Sequence, residues 1–216
     1  MKTDNQIQTD VEAELKWEPS VSHAHIAVVV DDGVVTLNGH VGSLLQKMAV
    51  EKAVRRVAGV RAIAEELIVR YPSDRKVADD QIAARICDLF TWDALIPADR
   101  IAVKVEHGRV TLTGEVDWHF ERDAARKAAG RISGVTAVIN LINLHVVPTA
   151  ADVKDHIVAA IKRHADIDAK AITVITDGSK VRLGGLVHAW HDRDIAERAA
   201  WAAPGVTMIE DNIVVA

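Results

Sequence analysis

The chain has 216 residues, 49% of them hydrophobic and 26% charged, a composition that belongs to folded globular proteins and excludes intrinsic disorder. A formal charge of −5 removes the long-range attraction to phosphates that nucleic-acid binding needs, so no nucleic-acid partner is expected. The single cysteine, Cys87, excludes an intramolecular disulfide. Apolar runs stay far below the roughly 18 residues of a spanning helix, and the first residues lack a signal peptide's apolar core, which gives the expectation of a cytoplasmic protein, or a periplasmic one if this is a processed form.

In chain order, a first helix is expected to end at Trp17. A strand follows from Ile26, then a tight turn at Asp32-Gly33. Its return strand is the motif Val35-Thr-Leu37-Asn-Gly39-His-Val41. Ser43 and Gln46 then read as a capping box opening a second helix whose small inner face is Ala49, Ala53 and Val57. The pair Gly59-Val60 ends that helix and opens a third strand, after which residues 71–76 read as a linker.

The same order repeats. Ile82, Ile86, Leu89 and Phe90 follow the i, i+4, i+7, i+8 spacing of a helix with one buried face. Ile101-Ala-Val103-Lys-Val105-Glu106 alternates as a half-buried strand. His107-Gly108, Val110-Thr-Leu112-Thr-Gly114-Glu-Val116, a helix with Ala124, Ala128 and Ile132, and Gly134-Val135 complete the unit. Its last strand, residues 138–144, carries Ile139 and Leu141 out of phase with Val138, Ile142 and Leu144, which predicts that a neighbouring unit covers the outer face of the middle sheet.

A second linker at 147–150 leads to the third copy. Val153, Ile157, Ala160 and Ile161 mark its first helix, Asp177-Gly178 its turn, and Val181-Arg-Leu183-Gly-Gly185-Leu-Val187 its return strand. Ile195, Ala199 and Ala203 mark the second helix, and Gly205-Val206 its end. The fold class is therefore α+β: three tandem αββαβ two-layer units at 1–73, 77–147 and 150–216, each with two helices on one face of a three-stranded mixed sheet. In each, the final β-α-β step is a right-handed crossover that makes the third strand parallel to the second.

A unit with this order, the V-x-L-x-G-x-V hairpin and the Gly-Val pair resembles the BON domain family, in three copies across essentially the whole chain. The resemblance implies a non-enzymatic protein linked to osmotic or envelope stress that binds phospholipid, a membrane surface or proteins. Two readings follow: a tandem-repeat binding or scaffold protein, and a chaperone-like factor that stabilises client proteins or associates with itself. No cofactor is expected.

The residues themselves offer little chemistry. His188 and His191 do not recur in the other units, so a metal site would need unrelated ligands, and no metal is expected. Cys87 reads as a small buried hydrophobe. The glycines Gly39, Gly59, Gly114, Gly134, Gly185 and Gly205 lack a phosphate-cradle arrangement and read as structural, the motif glycines allowing a helix to approach the strand. No catalytic residue is identified. The interaction candidates are Trp118, His119, Phe120, Trp190 and His191, all where the second strand meets the second helix, a place that suits small or polar residues. Aromatics there either anchor a partner or fill a gap between units. Trp17 and Trp92 read as core edges.

Overall fold

A computed structural model describes residues 2–70, 77–145, 153–163 and 171–215. The linkers inferred at 71–76 and 147–150 lie outside these residues. The first unit runs α1 (Asp4–Trp17), β1 (Ile26–Asp31), β2 (Val34–Val41), α2 (Leu44–Arg55) and β3 (Ala62–Val69). The second runs α3 (Asp79–Trp92), β4 (Ile101–Glu106), β5 (Arg109–Val116), α4 (His119–Gly130) and β6 (Ala137–Leu144). The third runs α5 (Val153–Lys162), β7 (Ile172–Asp177), β8 (Lys180–Val187), α6 (Trp190–Trp201) and β9 (Met208–Val215). Each sheet has its return strand in the middle, antiparallel to the first strand and parallel to the third. This is the αββαβ order that the periodicity predicts.

Each unit closes its own core. Ile7, Val11 and Leu15 of α1 and Val50, Ala53 and Val54 of α2 meet Val35, Leu37 and Val41 of β2, all buried. Of the predicted inner face of the second helices, Ala53, Val57, Ala128, Ile195 and Ala203 are buried, and the buried stripe also takes in Val50 and Val54, Ala125 and Ala129, and Ala196 and Ala200. Small residues on this stripe let the helix lie close to the sheet. The third strands begin two residues after the Gly-Val pairs, whose valines Val60, Val135 and Val206 are buried in the core.

The motif glycines have a different partner from the one expected. Gly39, Gly114 and Gly185 sit at φ +137°, +137° and +119°, a region that glycine alone enters freely. A Cβ there would overlap the carbonyl oxygens of His25, Arg100 and Ala171, just ahead of the paired first strand. The close approach is strand to strand, not helix to strand.

The hairpins differ in a way that the sequence encodes. Asp32 and Gly33 both have positive φ, as do His107 and Gly108, the geometry of a two-residue primed turn. Asp4 at the start of α1 accepts from Asp32 N at 3.0 Å and Gly33 N at 2.9 Å, and Asp79 accepts from His107 N at 2.7 Å and Gly108 N at 2.9 Å. The third turn is Gly178-Ser179, one residue later than predicted, because Asp177 pairs with Lys180. The residue in register with Asp4 and Asp79 is Ala150, which has no carboxylate to offer.

The second helices are capped by side chains. Ser43 Oγ accepts from Gln46 N at 3.2 Å, while Gln46 Oε1 accepts from Gly42 N at 2.9 Å, so the reciprocal bond lands one residue before the expected position. Glu121 accepts from both Asp117 N and Trp118 N at 3.0 Å.

Three sequence expectations fail on exposure. Trp17 and Trp92 are 84% and 88% exposed, not core edges, since each lies at the end of its helix beyond the last buried position, Leu15 or Phe90. Cys87 is exposed, because it follows the inward-facing Ile86 and points away from the sheet. Ile139 and Leu141 are 39% and 56% exposed, so among the described residues no neighbouring unit covers the middle sheet's outer face.

Candidate functional site

The units meet through their second helices. Shifts of 75 and 71 residues align Leu44, His119 and Trp190 at the start of these helices, and Arg55, Gly130 and Trp201 at their ends. Each start touches the next unit's end. A Cβ on Gly130 would rest 3.6 Å from Leu44 Cδ2 and 3.9 Å from Met48 Sδ. The His119 ring stacks on Trp201 with centroids 4.0 Å apart and planes 13° from parallel. Trp190 lies under the Arg55 guanidinium, 5.1 Å from ring centroid to Cζ. Unit one therefore meets two, two meets three, and three returns to one, closing a ring with approximate threefold symmetry.

The returning contact is the best anchored. Trp190 Nε1 donates to the Val60 carbonyl at 2.6 Å, and its ring packs on the core of unit one. Asp194 pairs with Arg55 at 3.5 Å, while Arg55 also holds Glu51 of its own helix at 2.7 Å in an i, i+4 pair. At the junction of units two and three, Arg122 stacks over Trp201 with Cζ 5.0 Å from the ring. Burial against Trp201 pushes the His119 imidazole down to about 4, with Arg122 adding to the effect. His119 is therefore neutral at pH 7.

Of the five interaction candidates, two are committed to this ring, His119 and Trp190. The others face outward. Trp118 and Phe120 are 42% and 53% exposed and stack at 6.4 Å, forming a ledge beside an open groove of about 490 Å³. His119, Trp201 and Ala202 line the groove with them, and Asp123 and Arg198 supply its charges. His191 is exposed and lines a second groove of about 320 Å³ that Lys52, Asp123 and Arg198 reach from all three units. Among the described residues no group of three histidine, cysteine or acidic side chains is placed to hold a metal ion.

Trp201 is the residue that sequence reasoning missed. Its signal was the register itself: it stands where Gly130 and Arg55 stand in the other units.

Comparison with known proteins follows the same division. Over 141 residues, 63% of this chain and 70% of the relative, the sequence is 30% identical to osmotically-inducible protein Y of Escherichia coli strain K12. CdsD, a structural protein of the type III secretion system of Chlamydia trachomatis, is 14% identical to it, covering 96% of this chain and 91% of that one at a TM-score of 0.26, too loose an overlap to bear on fold or function. The BON domain family matches at residues 3–71, 78–148 and 149–216, so this chain belongs to the BON domain family and is built of three such domains.

Proposed function

We propose that this protein is a non-catalytic binding scaffold of the osmotic stress response, and that its contact surface is the aromatic ledge of Trp118 and Phe120. The observation that carries this reading is the ledge itself: two stacked, exposed rings beside a largely apolar groove, at a junction where unit one has Ser43 and Leu45. Large aromatic rings left in water at a groove serve as anchors for an apolar partner. The relationship to an osmotically inducible protein supports the physiological setting.

The partner we favour is a phospholipid interface, in which Trp and Phe rings sit among headgroups and acyl chains. With a chain charge of −5, this contact is apolar rather than electrostatic, so neutral vesicles bind at least as well as anionic ones. Co-sedimentation of the full chain with phosphatidylcholine vesicles tests it: binding that is lost in Trp118→Ala/Phe120→Ala supports the reading, and no co-sedimentation with any vesicle removes it. The same acidic charge and the concavity of the groove favour a second reading, an apolar segment of a client protein. Suppression of client aggregation that depends on the same two rings supports that reading.

A further inference from the structure

The third strand of each unit forms one edge of its sheet, and the three edges differ in charge. β3 carries Glu65 and Glu66, and β9 carries Glu210 and Asp211. β6, with the sequence AVINLINL, carries no charge over its eight residues. Charged residues on an edge strand are a recognised barrier to pairing with another strand. Only the middle unit lacks that barrier.

The edge of β6 is otherwise equipped to pair. His145 N donates inward to Val116 O, so by alternation Val138, Asn140, Ile142 and Leu144 turn their main-chain groups to the free edge. One of these donors is already engaged, Ile142 N with Asn140 Oδ1 at 3.2 Å, and that local bond exchanges for an interchain one on pairing. Meanwhile Ile139 and Leu141, exposed on the outer face, stand beside the edge. Two β6 strands placed antiparallel with Asn140 opposite Asn140 bring Ile139 of each against Leu141 of the other. Every cross-strand pair in that register is uncharged, and Val138 meets Ile142 on one face as Ile139 meets Leu141 on the other.

We propose that β6 is a docking edge for β6 of a second copy of this chain, the two strands pairing about a twofold axis into one continuous six-stranded sheet. The self-complementary register selects a second copy over an unrelated strand, and twofold pairing closes at two copies. The inference does not rest on the aromatic ledge or on what it binds.

Sedimentation equilibrium of the full chain over a wide concentration range tests it. The sibling units supply the variants: Leu141→Glu installs the residue at the equivalent position of unit one, Glu66, and Ile139→Glu the one of unit three, Glu210. Both positions already accept glutamate in this fold. The wild type is expected to pass from monomer to dimer, and each variant to dimerise at least tenfold more weakly with an unchanged circular dichroism spectrum. Leu186→Glu, on the exposed outer face of the central strand β8, is expected to dimerise as the wild type does. A wild type monomeric throughout, variants that dimerise normally, a dimer broken only by Leu186→Glu, or growth beyond two copies would each overturn the proposal.

Discussion

Replacing Trp190 by alanine tests the ring at its closing contact. The indole donates to Val60 O at 2.6 Å, a bond of about 1 kcal/mol that leaves a carbonyl unpaired when lost. Arg55 across the junction adds about 0.5–1 kcal/mol through the ring face, and apolar packing on unit one's core about 1–2 kcal/mol. Arg193 also stacks on Trp190 at 5.0 Å but lies on the same helix, so it contributes nothing to docking. The sum is about 3 kcal/mol, or roughly a hundredfold in the docking equilibrium. Urea unfolding followed by circular dichroism and by hydrogen exchange in units one and three is the assay. The variant is expected to show unit three exchanging independently of unit one, and Trp190→Phe, which keeps the packing and loses the donor, to lie about 1 kcal/mol below wild type. A variant that unfolds and exchanges as the wild type does would refute the assignment of Trp190 to inter-unit docking.

Other perturbations probe single contacts. Gly114→Ala forces a side chain into φ +137° and onto Arg100 O, so unit two is expected to lose about 3 kcal/mol, read as a fall in its melting temperature. Burial at the contact with Trp201 holds the His119 imidazole down to about 4, below its ordinary value. Because the docked state binds fewer protons, the contact between units two and three is at full strength above pH 6.5 and weakens as pH falls towards 4, by about 1–2 kcal/mol after allowing for its partial exposure. Trp201 fluorescence against pH measures this, and His119→Gln is expected to flatten the profile. Backbone bonds from Gly108 and His107 hold the Asp79 carboxyl below its usual range, so its support of the hairpin is present at neutral pH and is lost as pH falls through that lowered value. Asp79→Ala is expected to weaken unit two at neutral pH and to reduce its acid sensitivity, measured by thermal melts at several pH values.

The fold was legible because its determinants recur. Val35, Val110 and Val181, or Gly39, Gly114 and Gly185, are the same residue in the same structural role, so a repeat in sequence maps directly onto a repeat in space. The junctions were not legible, because one geometric place is filled by three chemistries. Leu44, His119 and Trp190 meet Gly130, Trp201 and Arg55 as an aliphatic contact, a ring stack and a cation over an indole. No motif marks them. Exposure failed for a related reason: Cys87, Trp17 and Trp92 each sit beside or beyond an inward-facing residue, and periodicity fixes the stripe of a helix better than its edges. The turn of unit three slipped because Asp177-Gly178 imitates Asp32-Gly33 one residue out of register.

The closed ring is most directly tested by a distance between units one and three. Spin labels at two exposed positions, one on α1 and one on β8, in a Cys87→Ser background, are expected to give one narrow distribution that broadens with Trp190→Ala. A broad distribution in the unmodified ring, unchanged by that substitution, would contradict it.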